Sequence, residues 1–142
     1  MHLDKTQLGV AKGMASALLA AILVFVAAQA ATPTISESVD LWPRLKIATL
    51  SSLLPALALL FCIARLARHR FFTPDDINGS AQTSGTQRAQ ILQSLLQNTL
   101  EQGSLALPVY AAVSLLAPAH LLALVPVAAA MFLVGRVLFF VG

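Results

Sequence analysis

The chain has 142 residues, of which 58% are hydrophobic and only 11% charged, whereas a soluble domain carries roughly a quarter charged residues. That composition excludes an ordinary water-soluble fold. The net charge of +3 does not make it a nucleic-acid binder, because its nine Lys and Arg flank apolar segments and form no basic face.

Met14 to Ala31 carries no charge and follows Lys5 and Lys12. The pattern predicts a first membrane-spanning helix over about residues 10–31. The basic start, the apolar run and Ala28-Gln29-Ala30 also fit a cleavable signal peptide, so both readings stand. Thr32 to Lys46 reads as a polar connector containing Pro33, Glu37, Asp40 and Pro43, with Trp42 as an anchor at the bilayer interface.

Ile47 to Ala64 is again uncharged and is followed by Arg65, Arg68, His69 and Arg70. This predicts a second span over about 46–67, with a basic stop after it. Pro55 removes one helical hydrogen bond and predicts a kink. Cys62, the single cysteine, excludes a disulfide framework and reads as a small buried hydrophobe.

Phe71 to Thr86 has the turn chemistry of a loop, in Thr73-Pro74-Asp75-Asp76, Asn78-Gly79-Ser80 and Ser84-Gly85. Asp75 and Asp76 read as solvated acids, since a cation site needs further ligands. The third helix is expected over 87–117, polar at first and apolar after Gln102, with a bend at Gly103 and Pro108. Pro118-Ala119-His120 makes a turn, and the fourth helix follows over about 120–141 with Pro126 inside it. His2, His69 and His120 share no metal-ligand spacing, so no metal is expected.

The fold expected is therefore all-α, an integral membrane bundle of four transmembrane helices. It divides into an N-terminal hydrophobic helix with connector, 1–45, and a membrane domain, 46–142. Lys5, Lys12, Arg65, Arg68, Arg70 and Arg88 fall on one side of the bilayer, against Arg44 and Lys46 on the other. By the positive-inside rule the N-terminus is cytoplasmic, and the membrane expected is the cell inner membrane.

One stretch departs from the apolar pattern. Gln90, Gln93, Ser94, Gln97, Asn98 and Glu101 fall within an arc of roughly 140° on the third helix, away from Leu92, Leu95, Leu96 and Leu100. Such groups should face protein or water rather than lipid. Glu101 precedes the turn by 17 to 18 residues and Arg136 follows it by the same number. At 1.5 Å per residue both stand about 26 Å from it, near one edge of a hydrocarbon core roughly 30 Å thick. The depth match predicts a Glu101–Arg136 ion pair, with Asn98 one turn away. Such a pair either clamps two helices or lines a polar pocket for a ligand.

Asn98-Thr99-Leu100-Glu101 on one helix, then a hairpin, then Gly135-Arg136 on the next, resembles the MAPEG family, the membrane-associated proteins in eicosanoid and glutathione metabolism. The resemblance covers roughly residues 47 to 142. It implies a four-helix membrane subunit assembling as a homotrimer, with glutathione bound between subunits near the cytoplasmic side. It also implies glutathione transfer or isomerisation on lipophilic substrates. Asn98 and Glu101 would contribute to the glutathione site, and Arg136 would belong to the same polar cluster.

The chain departs from the family pattern at three points. Ser94 stands where family enzymes commonly have Arg, and Gln102 where an aromatic is usual. The sequence ends at Gly142, before the Tyr and the final helix whose Arg stabilises the thiolate in the family. The first span can take the place of that helix but offers no equivalent arginine. Thiolate formation near neutral pH needs a positive charge beside the sulfur, so glutathione binding is expected to outlast catalysis.

Two other classes fit the residues alone. One is a non-enzymatic membrane scaffold or lipid-binding subunit, in which the polar face specifies packing. The other is a small proton-coupled exporter in which Glu101 alternates between proton and substrate. An Arg136 partner would hold Glu101 ionised and oppose that cycle. No phosphate loop and no nucleophile elbow occurs.

Overall fold

The computed structural model describes residues 4–31, 39–78 and 85–141. Their regular structure is helical: α1 (Lys5–Ala31), α2 (Leu41–Phe72), α3 (Gln87–Leu116) and α4 (Leu124–Val141). Short 3₁₀ turns at Pro74–Asp76 and Ala119–Leu121 lead towards α3 and α4. The spans Lys5–Ala31, Leu41–Phe72 and Ala119–Val141 are long and apolar enough to cross a membrane. α3 has the length, 30 residues, but is not among those three, because its N-terminal half is polar. The molecule is an all-α membrane bundle.

α2 is the helix the others pack on. Its buried residues, Ala48, Ser51, Pro55, Ala58, Cys62 and Leu66, recur every three or four positions and so form one stripe. All but Leu66 are small. Lipid tails are as apolar as leucine, so helices in a bilayer associate through close packing, which small side chains permit. α3 makes the most extensive contact with α2 and α4 the next. Tyr110, Val125 and Ala129 form the apolar centre, with Ile47, Leu54, Ala106, Val113 and Ala128 packed around it. Large apolar side chains such as Leu53, Leu57 and Leu60 are left outside, where lipid is their solvent.

Polar contacts tie the helix ends together. Arg44 Nη1 donates to Ser114 O (3.0 Å) and Ala117 O (2.7 Å), and its Nε to Val39 O (3.2 Å). A cation on the last carbonyls of α3 suits the negative end of that helix. Gln29 Nε2 donates to His120 O (3.0 Å). The end of α1, the start of α2 and the α3–α4 turn therefore meet at one end of the bundle. α1 itself has no buried residue. Ala21, Phe25, Ala28 and Gln29 are its half-buried positions, and its main neighbour is α4.

The helices run longer than expected at three points. α1 begins at Lys5, and α2 extends from Leu41 to Phe72. Pro43 falls in the first turn of α2, where its missing N–H costs nothing. Trp42, 76% exposed, thus sits on a helix and not in a connector. His69 and Arg70 occupy the last turn of α2, where basic side chains favour the helix. Pro55 and Pro108 lie inside α2 and α3, each of which continues through its proline as one helix. Much of the expected connector (32–38), part of the loop (79–84) and His2 lie outside the described residues.

Candidate functional site

α3 starts at a cap. Thr86 Oγ1 accepts from Ala89 N at 3.2 Å, which satisfies one of the free N–H groups of the first turn. From there Ala89, Leu92 and Thr99 are buried and turn one face of α3 to α2. Thr99, 1% exposed, donates to Leu95 O (2.8 Å) and accepts from Cys62 Sγ (3.5 Å). Cys62 is buried there, as the small packing residue its setting predicts. The polar arc lies on the other side of α3.

Arg136 of α4 reaches that arc. It is 8% exposed. Nη1 donates to Asn98 Oδ1 at 2.7 Å and Nη2 to Gln102 Oε1 at 2.6 Å. Gln102 Nε2 also donates to Asn98 Oδ1, at 3.4 Å. The guanidinium lies 5.0 Å from the ring centre of Phe139 and 5.6 Å from that of Phe132. A buried cation is thus met by two amide carbonyls and two aromatic faces.

The ion pair expected between Glu101 and Arg136 does not form. Glu101 is exposed and accepts from Gln97 Nε2 at 2.8 Å. Rotation about the helix explains this. Glu101 stands about 180° from Leu92, the centre of the face that packs on α2, whereas Gln102 stands only about 80° from it. α4 also packs on α2, so it reaches the flank of α3 and not the far side. Arg136 and Glu101 are therefore not partners. Gln102, read only as a departure from the family pattern, is instead a partner of Arg136. Its position four residues after Asn98 was the available signal, since i and i+4 share a face.

Gln93, Ser94, Gln97, Asn98 and Glu101 line an open groove of about 390 Å³. Arg70 Nη2 donates to Gln93 Oε1 at 3.2 Å from α2 and brings a cation to a residue of the groove's lining. A neighbouring groove, lined in part by Gln90, Ser94, Asn98 and Phe139, runs between α3 and the end of α4. Asn98 belongs to both and is the point where the grooves and the Arg136 cluster meet.

Asp76 is not a solvated loop acid. It is 4% exposed. Its Oδ1 accepts from Thr86 N (2.7 Å), and its Oδ2 from Thr86 Oγ1 (2.6 Å). His69 Nε2 lies 2.9 Å from the same Oδ2. The Thr86 hydroxyl and then its backbone N–H hold the Asp76 carboxyl below the usual carboxylate range; burial opposes this, and His69 adds to it. The cluster locks the end of α2 to the start of α3. Asp75, by contrast, is exposed. Among the described residues no three His, Cys, Asp or Glu side chains gather as a metal site.

The sequence model of the MAPEG family matches residues 47–142. No curated protein and no solved structure matches the chain. The matched region takes in nearly all of α2, all of α3 and α4, and every residue of the Arg136 cluster, and on that match the chain belongs to the MAPEG family.

Proposed function

We propose that this chain binds glutathione in the polar groove of α3 and belongs to the glutathione-transferase side of its family. The observation that carries the reading is the bonding of Arg136 to Asn98 and Gln102, with Asn98 also lining the groove that holds Glu101. Glutathione presents two carboxylates, one ammonium, two amide bonds and a thiol. Arg136 and Arg70 supply cations, Glu101 a carboxylate, and Gln93, Gln97 and Asn98 amides. A guanidinium has five N–H donors, and the contacts to Asn98 and Gln102 use two of Arg136's. The donor set therefore fits. The groove volume falls within the roughly 300–1,000 Å³ of small-molecule sites.

In this reading Arg136 and Glu101 bind and orient the peptide. The ligand, when bound, supplies the nucleophilic sulfur. Its activation needs a cation beside that sulfur, and Arg70, bonded to Gln93 of the groove's lining, is the exposed-side candidate. The site works between copies of a homotrimer in the cell inner membrane, with the N-terminus and the Arg-rich end of α2 cytoplasmic. The exposed polar stripe on α3 supports assembly, because lipid is a poor neighbour for it.

The test is thermal unfolding in detergent with and without glutathione. A ligand at 100 times its Kd stabilises by about 2.7 kcal/mol, so a rise in Tm of several degrees is expected. Glu101→Gln should abolish the rise while leaving the Tm of the free protein unchanged. A purely structural cluster would give no rise in the wild-type protein.

A further inference from the structure

We propose that the notch between the end of α2 and the start of α3 is a site for the phosphate of an anionic phospholipid. Arg65, Arg68 and His69 from α2 and Arg88 from α3 line it, with Thr73, Phe72 and Leu92 completing its wall, and its volume is about 450 Å³. Arg88 and Gln97 stand about 180° apart on α3, so the notch opens away from the polar groove and is independent of the reading above.

The charge in the notch is not balanced by a carboxylate among the described residues. Among the described residues the ion pair is His69–Asp76. Asp76 is the buried acid beside the notch, and both of its oxygens are taken by Thr86 and His69. Arg70 turns the other way, to Gln93. Arg65 rests 5.6 Å from the ring centre of Phe61, a contact that leaves its N–H donors free. Three guanidinium groups thus share one concavity without a carboxylate among them. Like charges held this close repel, and an anion placed between them removes that cost. A phosphodiester accepts paired N–H donors from a guanidinium better than it does from any other side chain.

The place of the notch selects the source of that phosphate. It lies where α2, an apolar span, ends in basic residues, the level of lipid headgroups. Phe72, 72% exposed, gives acyl chains an apolar surface to follow into the bilayer, and the buried Leu92 closes the notch behind it. Basic pockets between membrane helices at this level suit anionic headgroups, and each arginine near such a surface contributes about a fivefold gain in affinity.

The test is binding of fluorescent phosphatidylglycerol to the full chain in neutral detergent micelles, with phosphatidylcholine as the uncharged comparison. Saturable binding of phosphatidylglycerol alone is expected. Arg88→Gln should weaken it about fivefold, and Arg68→Gln with Arg88→Gln about 30-fold. Lys5→Gln with Lys12→Gln removes the same charge from the same end of the bundle and should change it less than twofold. Equal loss in the two double variants would reduce the effect to diffuse attraction and overturn the site. Equal binding of phosphatidylcholine would also overturn it. If inorganic phosphate alone raised the Tm as much as the lipid, and only when Arg68 and Arg88 were intact, the lipid assignment would fail in favour of a soluble phosphate.

Discussion

Arg136 has two amide acceptors, Asn98 and Gln102, and no contact with Glu101. A hydrogen bond to a charged group contributes about 1.5–3 kcal/mol. Asn98→Ala should therefore lower the unfolding free energy by about that amount. Glu101→Ala, at an exposed position, should stay within about 0.5 kcal/mol of wild type. Denaturant titration in detergent separates the two, and the reverse order would restore the Glu101–Arg136 pair. The depth of this cluster was legible in the sequence. Asn98 and Gln102 bracket the level that the rise per residue assigns to Arg136. The rotation of α3 was not legible, because it depends on which face α2 covers. Asp76 was hidden for a similar reason: its partners, Thr86 and His69, are ten and seven residues away, beyond any local pattern. Its carboxyl is held below the usual range, so its stabilising effect is complete above the ordinary carboxylate value of about 3.9. That effect is lost as pH falls through the lower native value. The Tm of the wild-type protein should fall as the pH drops below about 4, and Asp76→Asn should flatten that dependence.

At the scale of the elements, α2 shows what a membrane sequence conceals. In water, apolar periodicity separates inside from outside. In lipid both faces are apolar, and the buried stripe of α2 differs from the exposed one in size instead. Ala48, Ser51, Ala58 and Cys62 are inside, and Leu50, Leu53, Leu57 and Leu60 are outside. The existence of α1, α2 and α4 was legible from uncharged length, that of α3 from its helical periodicity, and their turns from Pro and Gly. The start of α1, both ends of α2 and the start of α4 were not. Arg65 to Arg70 read as a stop, yet basic residues favour a helix C-terminus and α2 runs on to Phe72. The small stripe makes a direct prediction. Ala58→Leu adds volume at a position that is 3% exposed and should destabilise by about 1–3 kcal/mol. Leu57→Ala, on the lipid face, should cost much less. Equal costs in detergent unfolding would show that the stripe does not set the packing.

For the whole molecule, the unresolved debt is the polar side of α3. Gln97 and Glu101 bond to each other on an exposed face, in a helix set among apolar spans. The proposed assembly covers this face with a second copy of the chain. Light scattering in detergent should give a trimer, and Gln97→Leu should shift it towards monomer. In the proposed site between copies of the chain, assembly and binding should fail together in that variant. Family membership was legible from four residues on one helix and two on the next. The claim that rests on it, glutathione binding at the α3 groove, is tested most directly by calorimetric titration of glutathione into the wild-type protein in lipid nanodiscs. The prediction is saturable heat with a fixed number of sites per trimer. A folded, trimeric protein that gives only heat of dilution would contradict it.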